Sequence, residues 1–422
     1  MQFLKKYLKS NILQSSLVFT ASNAINSSIP FLLIPVLTRY LNPEEYGLLS
    51  IFQVMTTLMV SFVGLNAHSS TIIQYYKRYT LDFPRYVFNS LLILLSSFVF
   101  FTIIFIVFGD YIAALSEFPC NWLPFVVLFA TCQFLFQLLL GLLIASQRPY
   151  HYGMFQITQT ALNLTLSLIL VIPFHMGWKG RIIGQIIVFG LYAILSIYLL
   201  YRQGLLSVGY NKEYIKKALK FGLPLVPHTL GGAILMFSDR LIISKIENVS
   251  EVGVYMVGFQ FAQIILLIQD SINSAFAPWL YRNLKKNSHE QNVKLVKTTY
   301  LYFIIIFIFS VCYALIIPFF YKIFVGPEFV SGAKYIFWIA VGFAFNGMYK
   351  MVVNYIFYTE KTYILALITT FSAMCNVSLT YFFVTKYGTI GAAYSICMSY
   401  LISFLLTWFF SNKVYPMPWS LK

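Results

Sequence analysis

Charged residues are scarce in this chain. Only 10% of its 422 residues are Asp, Glu, Lys or Arg, whereas 59% are hydrophobic. A soluble domain carries about 25% charged residues, so water alone could not solvate the surface of a folded chain with this composition. The composition therefore excludes an ordinary soluble protein and indicates a protein whose solvent is largely lipid.

Acidic residues are the scarcer charged class, with 13 Asp and Glu against 29 Lys and Arg, and the formal net charge is +16. In a soluble chain this excess would suggest binding to nucleic acid. Most of the Lys and Arg, however, fall in loops on the same side as the N-terminus when the apolar segments are read as membrane crossings. Basic loops mark the cytoplasmic side of a membrane. We therefore expect both termini to be cytoplasmic and no nucleic acid to be bound.

Motifs for covalent or metal chemistry are also missing. The five cysteines form no CxxC pair, which argues against a zinc site or a disulfide framework. The chain contains neither the phosphate-binding sequence GxxxxGK followed by Ser or Thr nor the zinc-binding sequence HExxH. We expect a protein that hydrolyses no ATP, needs no metal or cofactor and is not an enzyme.

Long apolar runs fill most of the chain instead. A membrane-spanning helix needs about 20 mostly apolar residues, and about twelve segments meet this criterion. They leave no loop long enough for a soluble domain, so we predict an all-α integral membrane protein. The predicted spans lie near residues 13–37, 47–74, 87–108, 123–145, 153–173, 181–201, 221–244, 253–280, 299–320, 333–357, 363–384 and 391–411.

The two halves of the chain resemble each other. Residues 39–47 (RYLNPEEYG) match residues 245–253 (KIENVSEVG), and six predicted helices separate the two segments. An even number of crossings restores the same direction, so the halves would be parallel repeats related by an axis along the membrane normal. We predict two six-helix lobes, residues 1–202 and 221–422, around a central cavity. A basic amphipathic helix within residues 203–220 would join them along the cytoplasmic interface.

Four segments carry a resemblance to a known family. They are RYLNPEEYG after the first span, FGLPLVPHTL at the start of the seventh, MFSDRLIISKIENVSEVGVYMVGFQFAQ across the seventh and eighth, and NVSLTYFFVTKYGTIGAAYSICMSY near the end. In their order and spacing the chain resembles the polysaccharide exporters of the MOP superfamily, of the Wzx type that flips O-antigen and capsule repeat units. The resemblance implies a MOP/MATE-like fold. It also implies export of undecaprenyl-diphosphate-linked oligosaccharide across the bacterial inner membrane, driven by an ion antiport cycle.

Such a headgroup cannot cross hydrocarbon unaided, because its diphosphate is charged and its sugars need hydrogen-bond partners. Polar residues at helical spacing are therefore candidates for lining the cavity, although polar residues also hold membrane helices together. In the second span, Gln53, Thr57, Ser61, Gly64 and His68 would form one stripe. The other uncharged candidates are Asn346 and Asn354 in the tenth span, Asn23 in the first and Gln137 in the fourth.

Charged residues inside spans are costly and are therefore stronger candidates. Lys350 would contact a phosphate or a sugar acid, pair with Asp270, or snorkel to the cytoplasmic face. Asp270 would carry a proton or cation, serve as the partner of Lys350, or be a protonated acid in the core. His68 has an ordinary pKa near neutrality, so it could take part in ion coupling or be a structural histidine.

Three further charged residues lie nearer the ends of spans. Arg240 would contact the diphosphate or form an ion pair across the lobe interface, and the same two roles are open for Arg39. Asp239 is a further candidate for ion coupling. It need not pair with Arg240, because adjacent helical residues point about 100° apart.

Two other functions remain open from the sequence. One is a multidrug or metabolite cation antiporter, which would favour a cavity dominated by acidic residues. The other is a membrane-embedded glycan polymerase or glycosyltransferase, although every outer loop is short and none carries a His–Asp–Arg cluster. For the flippase, the expected partners are the lipid-linked oligosaccharide, membrane lipid, a glycan polymerase and a chain-length regulator.

Overall fold

The computed structural model describes residues 11–284, 288–359 and 361–420, and within these ranges every regular element is helical. The first part of the chain forms eight α-helices. These are α1 (Asn11–Tyr40), α2 (Pro43–Phe62), α3 (Ala67–Tyr75), α4 (Phe83–Val107), α5 (Gly109–Ser116), α6 (Leu123–Ala145), α7 (Pro149–Val171) and α8 (Gly177–Arg202).

The second part of the chain forms eight more helices. They are α9 (Lys212–Gly222), α10 (Leu225–Ile246), α11 (Val249–Ala262), α12 (Ile264–Leu284), α13 (His289–Phe324), α14 (Ala333–Tyr358), α15 (Thr362–Tyr387) and α16 (Ile390–Val414). Helix α9 overlaps the segment 203–220, in which the amphipathic linker helix is predicted, and ends two residues beyond it. Short 3-10 segments lie at Val63–Asn66, Cys120–Trp122 and Pro327–Gly332.

Eleven stretches of the described residues are helical, long and apolar enough to cross a membrane. Helices α2 and α3 together form one of them, Pro43–Tyr75, and α11 and α12 form another, Val249–Leu284. Helix α1 is 30 residues long, which also exceeds the roughly 20 residues that a crossing needs. The predicted all-α membrane fold of about twelve spans is therefore confirmed. The two termini themselves, predicted to be cytoplasmic, lie outside the described residues.

The largest difference from the predicted spans is in α13. The apolar run predicts a span at 299–320, whereas the helix extends from His289 to Phe324 and is 36 residues long. Its start is set by Ser288, whose side chain accepts a hydrogen bond from the backbone N–H of Gln291. A polar segment can extend a helix beyond the hydrocarbon, because a capping side chain and water satisfy the backbone N–H groups of its first turn.

Backbone contacts divide the chain into two compact units. The first contains the chain up to Leu41 and residues Leu48–Leu230. The second contains Asn42–Gly47 and the chain from Gly231 onward. The start of α2 thus belongs with the second unit, although most of α2 belongs with the first.

The matched repeat segments are both helix starts. Asn42 accepts a hydrogen bond from the backbone N–H of Glu45 at 2.8 Å, and Glu45 accepts one from the Asn42 N–H at 3.2 Å. In the other segment, Asn248 accepts a hydrogen bond from the Glu251 N–H at 2.9 Å. Such capping satisfies N–H groups that the first turn of a helix leaves without partners. The repeat therefore encodes the same capped start for α2 and α11.

These two helix starts cross within the second unit, with a glycine from each at the crossing. A side chain added at Gly47 would overlap the carbonyl oxygen of Val249, and one added at Gly253 would overlap the carbonyl oxygen of Pro43. The contact is reciprocal, because Gly47 and Gly253 are equivalent in the repeat, as are Pro43 and Val249. Small residues allow membrane helices to approach closely through their backbones.

Helix α2 ends inside the membrane span rather than continuing to its end. Gly64, Leu65 and Asn66 have left-handed φ values of 72°, 47° and 56°, a region that glycine and asparagine tolerate better than leucine. The Gly64 N–H donates to Ser97 Oγ of α4 at 2.7 Å. The prediction that Gly64 and His68 continue the stripe of Gln53 is therefore wrong, because helical spacing does not hold across this break.

We predict that Gly253→Ala lowers the thermal stability of the purified protein by the equivalent of about 1–3 kcal/mol, the usual range for overpacking. The added methyl group would meet a backbone carbonyl, which cannot rotate away as a side chain can. Heating in detergent followed by size-exclusion chromatography would measure the loss.

Gly190→Ala is the matched control, since nothing lies within 4 Å of the added atom there. Equal melting of the two variants would contradict a close crossing at Gly253.

Candidate functional site

Two ion pairs join charged side chains inside the membrane-spanning helices of the second unit. Arg240 pairs with Asp239 on α10, and Lys350 of α14 pairs with Asp270 of α12. The sequence alone did not require Asp239 and Arg240 to contact each other. In the structure they meet because the arginine side chain turns back along its own helix.

The Arg240–Asp239 pair is sealed inside the protein. The two side chains are 1% and 3% exposed, and Arg240 Nη1 lies 3.0 Å from Asp239 Oδ1. Nη1 also donates to the carbonyl oxygen of Met236, at 2.8 Å. The Tyr255 hydroxyl donates to the other carboxylate oxygen, Asp239 Oδ2, at 2.5 Å. Both charges are thus neutralised and hydrogen-bonded within the second unit.

Aromatic rings complete the enclosure of Arg240. Its guanidinium carbon lies 4.8 Å from the ring centre of Phe237 and 4.3 Å from that of Phe259. Its Nε lies 3.3 Å from the sulfur of Met256. A cation held over aromatic faces is stabilised most when water is excluded. This geometry favours a structural role for the pair, anchoring α10 to α11 within one unit.

The Lys350–Asp270 pair is open by comparison. Lys350 Nζ lies 2.5 Å from Asp270 Oδ1, and the two side chains are 17% and 64% exposed. Both residues lie within candidate membrane spans, Pro327–Tyr358 and Val249–Leu284. An ion pair placed at membrane depth but reachable from outside the protein is the arrangement expected of a polar site or pathway.

Neutral polar groups continue from this pair along the facing sides of α12 and α14. Asn354, one turn after Lys350, donates to Asn273 Oδ1 at 2.9 Å and to the Lys350 carbonyl oxygen at 2.8 Å. It accepts a hydrogen bond from the Tyr281 hydroxyl at 3.2 Å. The ring of Tyr281 stacks on that of Tyr358, with centres 5.9 Å apart. We call Lys350, Asp270, Asn273, Asn354 and Tyr281 the open polar row.

Two members of this row, Asn273 and Tyr281, were not singled out from the sequence. Their spacing could have found them, because residues 3 and 11 positions after Asp270 return near the same face of a helix. They were missed because asparagine and tyrosine are common where membrane helices contact each other, so the spacing alone did not distinguish them.

Behind the row lies a small buried polar cluster. Gln269, fully buried, donates its amide N–H to the carbonyl oxygen of Phe343. The Gln269 carbonyl oxygen and the Tyr302 hydroxyl are buried and have no hydrogen-bond partner among the described residues. Gly347 leaves room for both, since an added side chain would lie about 3.0 Å from each. The predicted candidate Asn346, next to this glycine on α14, is half-buried.

The remaining predicted residues lie in the first unit. The Gln53 amide reaches Thr57 Oγ1 at 3.5 Å, and Asn23 accepts a hydrogen bond from the Tyr152 hydroxyl at 2.7 Å. Gln137 of α6 is exposed, as is Arg39 in the last turn of α1. No contact within the described part of the first unit gathers Asn23, Gln53 and Gln137 into one cluster.

His68 follows the break after α2. Its Nε2 lies 3.2 Å from Ser69 Oγ, and its ring meets that of Phe134 edge to face, with centres 5.1 Å apart. Its Nδ1 is buried without a hydrogen-bond partner in the described residues. Across the same ranges, no three His, Cys, Asp or Glu side chains are grouped as metal ligands.

Comparison with protein families matches residues 12–284 to the family described as "Polysaccharide biosynthesis protein". Two proteins of Haemophilus influenzae are each 24% identical to this chain. One, an uncharacterized membrane protein, aligns over 83% of this chain and 85% of its own length. The other, named for the Lsg locus, aligns over 87% and 90%.

Solved structures with the same fold come from the MOP superfamily. An inward-facing multidrug resistance transporter of the MATE family superposes with a TM-score of 0.75 at 14% identity, over 92% of this chain and 94% of its own. The lipid II flippase MurJ in an inward closed conformation superposes with a TM-score of 0.71 at 17% identity, over 94% and 87%. The fold predicted from the resemblance is thereby confirmed.

We predict that Arg240→Gln strongly destabilises the protein, because it leaves the Asp239 charge buried without its counterion. Breaking one side of a buried ion pair costs about 3–5 kcal/mol. Thermal unfolding in detergent would measure the effect, with Lys322→Gln, which removes an exposed positive charge of α13 in the same unit, as the control. Wild-type stability in Arg240→Gln would contradict the structural role.

Proposed function

Because the chain belongs to the polysaccharide biosynthesis protein family, we propose that it is a flippase for lipid-linked glycans. Its substrate would be an undecaprenyl-diphosphate-linked oligosaccharide repeat unit, moved across the bacterial inner membrane by alternating access. The observation that carries this proposal is the open polar row. It combines one ammonium group with several amide and hydroxyl groups at membrane depth.

Lys350 is suited to the diphosphate. An ammonium group binds phosphate as a point charge, and its partial exposure leaves it accessible. Beside it, the partly exposed amide of Asn273 and hydroxyl of Tyr281 offer hydrogen bonds of the kind that sugar hydroxyls need, whereas Asn354, 3% exposed, is bonded to both and holds them in place. A headgroup held there would keep its charge and its hydroxyls away from hydrocarbon while its prenyl chain stayed in lipid.

The ion pair also suggests how transport is coupled to an ion. A diphosphate and the Asp270 carboxylate would compete for the same ammonium group of Lys350, since the two charges lie only 2.5 Å apart. When the substrate takes Lys350, Asp270 is left as an unpaired carboxylate beside an anion. Uptake of a proton or another cation by Asp270 would neutralise it. Binding of substrate and of a cation at Asp270 would thus favour each other, so the two would move together, whereas the antiport cycle implied by the family resemblance would need them to exclude each other.

The other predicted residues take lesser parts in this proposal. Asn23, Gln53, Gln137 and Asn346 would contact sugar hydroxyls, and Arg39 would meet the diphosphate near one membrane surface. His68 would be a second proton carrier. Asp239 and Arg240 would act by holding α10 in place rather than by touching substrate, because they are sealed from it.

Alternating access needs two bodies that move relative to each other. We propose that these are the lobes predicted at residues 1–202 and 221–422, joined by the linker within 203–220, with the substrate passing between them. Both termini would be cytoplasmic, and the polymerase and chain-length regulator of the same glycan would receive the flipped unit outside.

A multidrug antiporter is less consistent with this site, although a MATE transporter shares the fold. Cationic drugs would be repelled by an accessible lysine unless an acidic group outweighed it, and Asp270 only balances Lys350. If the protein were instead a glycan polymerase, its loss would leave lipid-linked repeat units on the outer side of the membrane. A strain lacking a flippase would instead retain them on the inner leaflet.

We predict that Lys350→Ala abolishes most of the flipping, because the diphosphate loses its counter-charge, whereas Lys350→Arg retains part of it. The readout is the amount of lipid-linked glycan in a deletion strain complemented with each variant. Mass spectrometry would give the total, and periodate labelling of intact spheroplasts would give the outer fraction.

Lys334→Ala is the control, since Lys334 is an exposed lysine near the start of the same helix. Full activity of Lys350→Ala, at membrane levels equal to wild type, would contradict the assignment of Lys350 to the substrate.

We predict that Asp270→Asn separates binding from coupling. In this variant no carboxylate would compete with the diphosphate for Lys350, so substrate binding would be retained or strengthened. The ion gradient would no longer affect the rate of flipping. The outer fraction of glycan in the presence of a protonophore, compared with a sodium ionophore, is the measurement. The wild-type response to both ionophores in Asp270→Asn would remove Asp270 from coupling.

A further inference from the structure

A second feature lies in the first unit, apart from the open polar row. An elongated groove of about 950 Å³ runs between α4 and α9. Helix α4 supplies one wall over Leu92–Ile103, which is about 16 Å at the helical rise of 1.5 Å per residue. Ile215 and Leu219 of α9 and Leu65 of the break after α2 supply the rest, with Tyr210 at one end.

The groove is lined mainly by apolar side chains, which suit a hydrocarbon chain. Leu95, Val99, Phe100 and Ile103 line it and are all exposed. Its two serine hydroxyl groups already donate hydrogen bonds within the helix. Ser96 donates to the Ile93 carbonyl oxygen at 3.0 Å, and Ser97 donates to that of Leu94 at 2.9 Å. An occupant would therefore find apolar contact along most of the groove and few hydrogen bonds.

Helix α9 has three faces, given about 100° of rotation per residue. Tyr214, Ala218 and Gly222 form the packed face. Tyr214 accepts a hydrogen bond from the Asp82 N–H at 3.2 Å, Ala218 is buried, and Gly222 lies against the Leu65 carbonyl oxygen. Ile215 and Leu219 form the groove face.

The third face is basic and lies directly beside the groove face. Lys212, Lys216 and Lys220 follow each other at four-residue spacing, and all three are exposed. On a helical wheel the angles between these lysines and the groove residues Ile215 and Leu219 range from about 20° to about 140°. The groove face therefore lies between the lysines and the packed face. The acidic residue of this helix, Glu213, projects beyond the stripe, toward Lys217.

We propose that this groove binds an anionic phospholipid of the surrounding bilayer. An acyl chain would lie along α4 between Leu92 and Ile103, and the phosphate would rest on the lysine stripe of α9. The argument is charge complementarity next to an apolar channel, since lysines at a membrane surface attract anionic lipid headgroups. The basic helix and the groove wall belong to the same element, so one ligand would contact both.

Such a ligand would also touch the break in the second span, because Leu65 lines the groove. Gly222 of the same basic helix packs on the carbonyl of Leu65. A bound lipid would therefore hold α9 against the left-handed segment at Gly64–Asn66. The inference stands independently of the transported substrate, since it uses none of the open polar row.

The test uses full-length protein purified in detergent and native mass spectrometry with added phosphatidylglycerol or phosphatidylcholine. Wild-type protein is expected to retain phosphatidylglycerol at least about tenfold more strongly. The variant Lys212→Gln/Lys216→Gln/Lys220→Gln should lose that preference. Its control, Lys334→Gln/Lys361→Gln/Lys386→Gln, removes three exposed lysines elsewhere and should retain it.

A second variant tests the groove itself. Val99→Trp fills it from an exposed position, which leaves packing inside the protein undisturbed. Retention of both lipids should then fall. Equal loss in the two lysine variants would show attraction by net charge only, and full retention in Val99→Trp would show headgroup binding without a groove. Either result would overturn the proposal.

The source of the ligand is decided by competition. Undecaprenyl phosphate shares the phosphate and the long apolar chain. If it displaces phosphatidylglycerol at a small fraction of the phosphatidylglycerol concentration, the groove belongs to the substrate lipid and our assignment to bilayer phospholipid is wrong. If phosphatidylglycerol withstands an equal concentration of undecaprenyl phosphate, the assignment stands.

Discussion

The cost of placing a charge at membrane depth shapes the second unit of this protein. Each charged side chain there needs a counterion, and two different arrangements provide one. Arg240 and Asp239 are sealed by Tyr255 and by aromatic rings, so their charges serve the packing of α10 on α11. Lys350 and Asp270 are paired but exposed, so each remains available to a ligand. The difference lies in enclosure rather than in residue type, and it separates an anchor from a candidate site.

The internal repeat has a structural meaning at the ends of helices. Asn42 and Asn248 begin α2 and α11 in the same way, and the glycine five residues after each allows a close backbone approach to the other helix start. A capping residue, a glutamate and a glycine recur in both segments because together they form a capped helix start that packs closely against another helix. The first of these starts belongs to the second unit although its helix continues into the first.

Prediction from the sequence succeeded where one property dominates. Long apolar runs identify spans because the hydrocarbon admits little else, and the spacing of Asn346, Lys350 and Asn354 correctly placed the last two on one face of an unbroken helix. It failed in the second span, where Gly64, Leu65 and Asn66 leave the helical conformation. It also left open whether Arg240 pairs with Asp239, because a rotation of 100° per residue does not show how far an arginine side chain can bend. Asn273 and Tyr281 were missed because their importance comes from a neighbour on another helix.

The membrane environment, the helical class, the approximate spans and the repeat can all be read from the amino-acid sequence, because each depends on local composition or on spacing along one chain. The enclosure of particular charges, the polar side chains that face each other across α12 and α14, and the groove beside the basic face of α9 become visible only in the fold. Those features depend on which helices become neighbours and how they are turned. Apolar residues that face lipid and apolar residues that face protein look alike in a sequence.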